Sequence, residues 1–361
     1  MSERKHIITT MPIKPYENNK YGIFITPLVN EIISEFLNIK SILAVNLLHS
    51  FDNNKKNYLN LFLNDAKLYG CSINNVLIDI DNKLSIENLL QSLYIDKKII
   101  SGLKEVVRCS CGAVYELSSN YDEIINYKLI YEESGLKKCK LCNTVINKKV
   151  DEVLYIKYLD LSNKYNYKLY PEYLRKDIEI INEKFKGRYQ LVSKDRYTGV
   201  CLKINKKVYN IDVDFCLDMT YFSYYKEETI IITATYKQLV HYYKILQIAD
   251  LVKNKNIFIC SYPYLNTNYN IEQMVITLNN SFKKKLFLLF NLKFNQKDCE
   301  LNKGIYKYLL KINDLKAEDM YNHIITKFVV KEKNNIDNSI SNFYNSRIDL
   351  QKVVNELNNK F

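Results

Sequence analysis

Four of the nine cysteines fall in two close pairs, Cys109-x-Cys111 and Cys139-x2-Cys142. Two such pairs can close a tetrahedral thiolate shell around Zn²⁺ at roughly 2.3 Å per bond, each pair on its own tight turn. Gly112 and Asn143, directly after the pairs, are turn-forming residues. Arg108, Lys137, Lys138 and Lys140 flank the pairs, and cations there lower thiol pKa values and offset the charge of a tetrathiolate site. A shell closed by four thiolates leaves no open position for a substrate water, so the expected ion is structural. Two observations weigh against it: the first pair is CxC rather than the commoner CxxC, and four unrelated cysteines would look the same. A redox dithiol fits less well, since it needs one pair only, usually CxxC at a helix start. Cys71, Cys201, Cys216, Cys260 and Cys299 lie inside apolar or strand-like runs, where the thiol behaves as a small core group. No disulfide framework is expected.

Other residues carry chemistry only if the fold places them well. Asp212 and Asp214 alternate within a strand-like run and would share one face, either to hold an amino group or merely to edge a sheet. Asp218 could serve equally. His49 follows an apolar run, where the C-terminal end of a parallel strand can face a ligand crevice. His241 lies on an amphipathic segment, as a core histidine or as a pocket group. Lys20 is a loop lysine or a phosphate contact. Gly22 either lets a nucleotide approach closely or opens the following helix.

The elements that must position these groups alternate. His6–Thr10 reads as a strand, then a polar loop carries Pro12 and Pro15, and Gly22 precedes a helix from near Pro27 with apolar residues at Leu28, Ile32, Ile33, Phe36 and Leu37. Ser41–Leu48 is a continuous apolar run suited to a buried parallel strand. Asn57–Tyr69 reads as a helix and Asn75–Ile80 as a strand. Such alternation predicts an α/β fold with a doubly wound parallel sheet. The region Ile99–Val153 breaks the rhythm with short strands around the cysteine knuckle. A helix over Lys176–Phe185, strands at Val208–Val213 and Thr229–Thr233, a long helix at Tyr236–Leu251 and a strand at Asn256–Ser261 resume it. From about Lys283 the pattern is helical to the end, with a polar, mobile stretch expected at Asn334–Asn345. The expected organisation is therefore a first half of a nucleotide-binding domain at 1–98, a zinc-knuckle insertion at 99–153, a second half at 154–282 and a helical segment at 283–361.

Composition sets limits. In 361 residues, 47% are hydrophobic and 13% aromatic, which excludes global disorder. Eight Gly and five Pro exclude collagen-like or linker character. No apolar run approaches the ~18–20 residues that span a bilayer. The start, MSERKHIITT, has no apolar signal region, so a cytoplasmic, non-secreted protein is expected. A net charge of +12 suits a polyanionic partner such as RNA. It is equally what an AT-rich genome writes onto any surface through Lys, Asn, Ile and Tyr codons.

The opening strand-loop-helix is neither a P-loop nor a dinucleotide fingerprint, since GxxxxGK[ST] and GxGxxG are both absent. It resembles the opening of class I aminoacyl-tRNA synthetases, most closely the methionyl type. Ile8-Thr9-Thr10 matches the end of that family's first strand, and Lys20-Tyr21-Gly22-Ile23 stands at the spacing of its His-Ile-Gly-His signature. The family's cysteine knuckle is inserted where Cys109–Cys142 lies. Lys207–Tyr225 is similar to its aromatic-acidic strand segment near the amino-acid pocket, and Thr229–Leu265 to its later strand, helix and strand. The likeness covers about residues 6–330, with no motif intact. It implies nucleotide contacts at Thr10, Lys20 and Gly22, substrate contacts at Asp214 and His241, catalytic candidates at Lys20 and His49, structural zinc on the four cysteines, and ATP, an amino acid and tRNA as ligands.

The departures shape the functional expectation. The signature histidine places hold Lys20 and Ile23, and an acidic motif after the second strand is replaced by Asn46-Leu47-Leu48-His49. No Lys-Met-Ser-Lys-Ser loop lies between Leu265 and Leu286, and Lys283-Lys284-Lys285 reads as the exposed start of a helix. Only a short stretch follows Lys293, where the family continues into an anticodon-binding domain. Each lost charge-stabilising donor typically costs roughly 10²–10³ in rate. The expectation is a synthetase-like pseudoenzyme that binds nucleotide, aminoacyl ligand or tRNA with lost or much reduced aminoacylation. The alternatives are a divergent ATP-dependent amino-acid-activating ligase that uses Lys20 and Lys283–Lys285, and a zinc-containing nucleic-acid-binding protein.

Overall fold

The computed structural model describes residues 6–16, 18–48, 55–111, 114–116, 130–134, 136–139, 142–162, 167–194, 199–225, 229–253, 256–328, 336–346 and 348–358. His49, Gly112 and Lys140 lie outside them. The chain opens with β1 (His6–Thr10), α1 (Tyr21–Leu37), β2 (Lys40–Val45), α2 (Lys55–Leu68), β3 (Val76–Ile78) and α3 (Lys83–Ile95). Antiparallel elements follow: β4 (Ile100–Arg108), β5 (Val114–Glu116), β6 (Ile130–Glu133), β7 (Leu136–Cys139) and β8 (Asn147–Lys157). Next come β9 (Tyr167–Tyr170), α4 (Leu174–Phe185), β10 (Tyr189–Leu191), β11 (Ser193–Lys194), β12 (Cys201–Ile204), β13 (Lys207–Ile211) and α5 (Val213–Tyr224). Then come β14 (Thr229–Thr235), α6 (Leu239–Leu251), β15 (Ile257–Tyr262), β16 (Tyr264–Asn266), α7 (Ile271–Thr277), α8 (Ser281–Asn291) and β17 (Asp298–Glu300). The helices α9 (Lys303–Lys311), α10 (Asp314–Phe328), α11 (Ile336–Asn345) and α12 (Leu350–Asn358) end the chain.

The main sheet has six strands in the order β3-β2-β1-β14-β15-β9, and all its pairings are parallel. Its central strands are apolar on both faces because helices cover both. Ile7, Ile230, Ile232, Ile257 and Ile259 point into one core with α3, α4, α5 and α6. Ile8, Ile231, Phe258 and Cys260 point into the other, with α1, α2 and the C-terminal helices. The α1 and α2 crossovers thus lie on one face and the α6 crossover on the opposite face. The winding reverses between β1 and β14, as expected of a doubly wound sheet. A second sheet, β10-β8-β4-β5, is antiparallel, and a hairpin of β6 and β7 leads to the second cysteine pair.

Buried polar groups set how the helices sit on the sheet. Asn30, inside α1, donates to Ser41 Oγ at 2.7 Å and accepts from Thr233 Oγ1 at 2.8 Å, so it ties the helix to β2 and β14. The β1–β2 ladder ends at Thr9, and Thr10 Oγ1 accepts the Ala44 N–H at 3.0 Å in place of a ladder carbonyl. Beyond Thr10 the chain splays between its neighbours: the Met11 N–H reaches Thr233 O, and Ile13 exchanges bonds with β2. Asp79, just past β3, accepts the N–H groups of Leu47 and Leu48.

Several elements differ from the sequence pattern. Helix α1 begins at Tyr21, so Gly22 lies in its first turn and Pro27 inside it. Strand β13 stops at Ile211, and Asp212 and Asp214 do not share a strand face. Asp212 caps α5, its carboxylate accepting the Asp214 N–H at 3.4 Å. An aspartate that satisfies a free helix N–H outweighs the local strand signal. The stretch expected to be mobile contains α11, with Ile340, Phe343 and Tyr344 buried against α1 and β9. A small aromatic stripe at helical spacing anchors an otherwise polar segment.

Replacing Thr10 by valine keeps the shape of the side chain and orphans the buried Ala44 N–H. An unfolding titration should show a loss of about 1–3 kcal/mol, the cost of one unsatisfied buried donor. An unchanged midpoint would mean that the hydroxyl does not hold the β1–β2 junction.

Candidate functional site

The crossovers after β1 and β14 lie on opposite faces, and open parallel sheets bind ligands beyond the C-terminal ends of such strands. Lys20 is the residue before α1, extended and exposed, with no side-chain bond to the helix end. Gly22 is exposed in the first turn. A Cβ built on it meets nothing within 4 Å, and its φ is not in the left-handed region. No contact within the described chain therefore demands glycine there, although glycine weakens a helix relative to alanine. Thr10 is fully buried at the end of β1, and its carbonyl accepts the Tyr221 hydroxyl of α5 at 2.8 Å. Its side chain serves the sheet and is not open to solvent.

On the other face, α5 and α6 gather charged groups. Asp212 pairs with Lys194 at 2.8 Å, and burial pushes its carboxyl up against the attraction of that lysine. Asp218 is buried, with Oδ2 lacking a hydrogen bond, and burial raises its carboxyl well above the ordinary range. His241 is half-buried on α6. Burial and then Lys244 push its imidazole down to about 4, against the pull of Asp214, so the ring is neutral at pH 7. Asp214 and His241 are thus brought together, and Lys20 and Gly22 share the start of α1. Lys194, Lys244 and the buried Asp218 complete the cluster. Lys194 and Lys244 gave no signal in the sequence, because only the pairing of β11 with β13 and the packing of α6 bring them near.

Lys283, Lys284 and Lys285, expected as an exposed helix start, are buried in the first turn of α8. Lys283 pairs with Asp314 at 2.9 Å, and Lys284 donates to Leu68 O at 2.6 Å. Lys285 meets Glu35 at 2.6 Å and Glu31 at 3.4 Å. Their partners come from α10, α2 and α1, which no local sequence pattern reveals.

The cysteines converge as the spacing suggested. Sγ atoms of Cys109, Cys111, Cys139 and Cys142 all lie within 4.8 Å of one another. Cys109 and Cys142 are 3.1 Å apart, and Cys111 and Cys139 3.9 Å. A tetrahedral zinc–thiolate shell has sulfur–sulfur edges of about 3.8 Å, so the donor set fits. Asn143 takes a left-handed turn at φ 60° and donates to Cys139 O at 2.7 Å. Thr144 had not been singled out. Its hydroxyl lies 3.1 Å from Cys109 Sγ and 3.0 Å from Cys142 Sγ. Burial opposes the Cys109 thiolate, but bonds from Thr144, the Cys111 N–H and Cys142 outweigh it and bring the thiol down to about 6.

Tyrosine–lysine pairs rim the same end of the sheet. Lys14 lies over Tyr16 after β1, Lys237 over Tyr264 at 3.1 Å, and Lys303 over Tyr269 at 3.5 Å. Lys297 lies over both Tyr173 and Tyr236 while paired to Asp177.

No protein-family model and no curated protein sequence matches the chain. Solved structures do. Mycobacterium tuberculosis methionyl-tRNA synthetase bound by methionyl-adenylate is similar with a TM-score of 0.60 at 10% identity, over 85% of this chain and 68% of that one. A second methionyl-adenylate complex of that enzyme gives 0.61 at 9% identity with the same coverage. Its apo form gives 0.59 at 12%, over 84% and 65%. The chain has the fold of a class I synthetase domain of the methionyl type, and it spans about two thirds of the length of those enzymes.

If the fold itself does not require Gly22, Gly22→Ala should leave thermal unfolding unchanged or raise stability by about 0.4–1 kcal/mol. A clear loss of stability would show that the glycine serves the chain rather than a ligand.

Proposed function

We propose that this protein is a class I synthetase-like pseudoenzyme, which binds nucleotide, an aminoacyl ligand or tRNA with aminoacylation lost or much reduced. The observation that carries the reading is the fate of the cations. Adenylation needs donors on the α-phosphate and on the leaving pyrophosphate. In the lysine run at the start of α8, Lys283 and Lys285 are paired with Asp314, Glu31 and Glu35, and Lys284 donates to the Leu68 carbonyl. Holding those lysines in the core leaves them unable to swing onto a phosphate. The same ion pairs speak against a working ligase that would recruit them.

Binding is supported separately. The start of α1 has no side-chain cap, an exposed Lys20 and open space over Gly22, an arrangement suited to an anion and a closely approaching base. In this reading the half-buried Asp214 and the neutral His241 face the aminoacyl part of the ligand. The tyrosine–lysine rim and the +12 charge suit an RNA strand, which stacks on aromatics and releases counterions to lysines. Among the described residues no helix is long and apolar enough to cross a membrane, and a cytoplasmic location is part of the proposal. Zinc is assigned to Cys109, Cys111, Cys139 and Cys142, where it would hold β7 and the end of β4 together, with no role in chemistry.

Amino-acid-dependent pyrophosphate exchange should be at background, while ATP binding measured by titration should be detectable and lost in Gly22→Val. Binding unaltered by that change would place the nucleotide elsewhere. Robust exchange abolished by Lys20→Ala would establish a working ligase instead.

Protein purified under reducing conditions should contain about one zinc per chain, falling to background in the Cys139→Ser/Cys142→Ser double variant. Metal content that is absent, or unmoved by the substitutions, would remove zinc from the proposal.

A further inference from the structure

Helix α1 meets the C-terminal helices through two carboxylates, one buried and one at the solvent edge, and a single buried ammonium. Glu31 and Glu35, one turn apart on α1, both face Lys285 of α8, so two carboxylates share one ammonium. Glu35 Oε2 also accepts the Tyr321 hydroxyl of α10, and Lys285 lies 5.4 Å from the Tyr321 ring centre. Glu31 Oε1 accepts the Ser72 N–H at 2.5 Å, while its Oε2 has no hydrogen bond and only the ion pair at 3.4 Å. The titratable groups that face this network are Lys285 on α8, Glu35 on α1, Tyr321 on α10, and Cys71, which in turn faces Lys284. Nearby, Phe343 of α11 packs on Phe36 at 4.8 Å, on the same helix.

We propose that Glu31, Glu35, Lys285 and Tyr321 form a proton-operated latch, which holds α8 and α10 on α1 while one proton neutralises the surplus carboxylate and loosens them when both carboxylates are charged. The inference does not depend on the ligand reading above. A protonated Glu31 leaves a one-to-one pair of the buried Lys285 with Glu35, which stands at the solvent edge with its side chain 36% exposed. Loss of the proton puts an anion in the core that must share Lys285 with Glu35 and whose Oε2 has no hydrogen bond, and a buried charge so weakly compensated is costly. Burial, the strongest influence, raises the Glu31 carboxyl from 4.5 to about 7 despite the attraction of Lys285 and the bonds from Ser72. The sign follows from the folded value lying above the unfolded one. The folded state keeps a proton that the unfolded state has lost, so the contribution to stability is complete below about pH 4.5 and disappears as pH rises through about 7. An ordinary ion-pair network behaves oppositely, weakening on acidification.

Hydrogen exchange of the full chain, followed by mass spectrometry at pH 6 and pH 8 and corrected for the intrinsic rate, tests this. Protection of α8 and α10 peptides should fall about tenfold between the two pH values relative to β14 and β15. In Glu31→Gln the fall should vanish, with protection at pH 8 at least that of the wild type at pH 6. Glu35→Gln, which restores the one-to-one charge balance with Glu31 ionised, should reduce the fall as well. Equal relative protection at both pH values, an unchanged fall in both variants, or greater protection at pH 8 would overturn the latch.

Discussion

The parallel pairing of β1 with β14, from His6 against Thr229 to Thr10 against Thr233, is the constraint from which the rest of the arrangement follows. The two strands come from opposite halves of the chain, and their crossovers leave on opposite faces. In open parallel sheets, ligands bind beyond the C-terminal ends of strands placed in this way. Asn30 of α1 ties β14 to β2 beside this pair, and Thr10 extends the hold of β1 on β2 beyond the point where their ladder stops.

Around the C-terminal ends of these strands, polar groups hold the fold. Thr10 satisfies a strand amide, Asp79 holds the turn after β2, and Asp212 caps α5 while paired with Lys194. The lysines at the start of α8 bind three different elements. Cations at a helix N-terminus oppose the helix dipole, at a cost of about 0.3–1 kcal/mol each. Their nearby acids and the Leu68 carbonyl offset that cost. Charges committed to packing in this way are held in fixed positions.

The knuckle shows the same economy on a smaller scale. Cys109 directly follows β4, which pairs with β8 along a nine-residue antiparallel register, and β8 starts shortly after the second pair. Arg108 and Asp151, paired at 2.6 Å across that ladder, fix its end next to the thiols. Thr144 supplies a hydroxyl to two sulfurs without being a ligand, a role that a scan for Cys, His and acids overlooks.

Much was legible from residue order alone. The runs HIITT, TIIITAT and IFICSY are apolar on both faces, which only strands covered by helices on both sides tolerate, and their alternation with helical periods implied the doubly wound sheet. The Cys109–Cys142 cluster was legible because metal geometry constrains spacing locally. Legibility failed wherever a partner lies far along the chain. Lys283–Lys285 look like a solvated charge run until α1, α2 and α10 are placed around them, and Asn334–Asn345 looks mobile until Phe343 meets Phe36. Asp212 and Asp214 alternate like strand residues until a capping bond turns the chain into α5. Local periodicity determines which face of an element is apolar, but burial of a charge is a property of what surrounds it, and only the tertiary structure decides that.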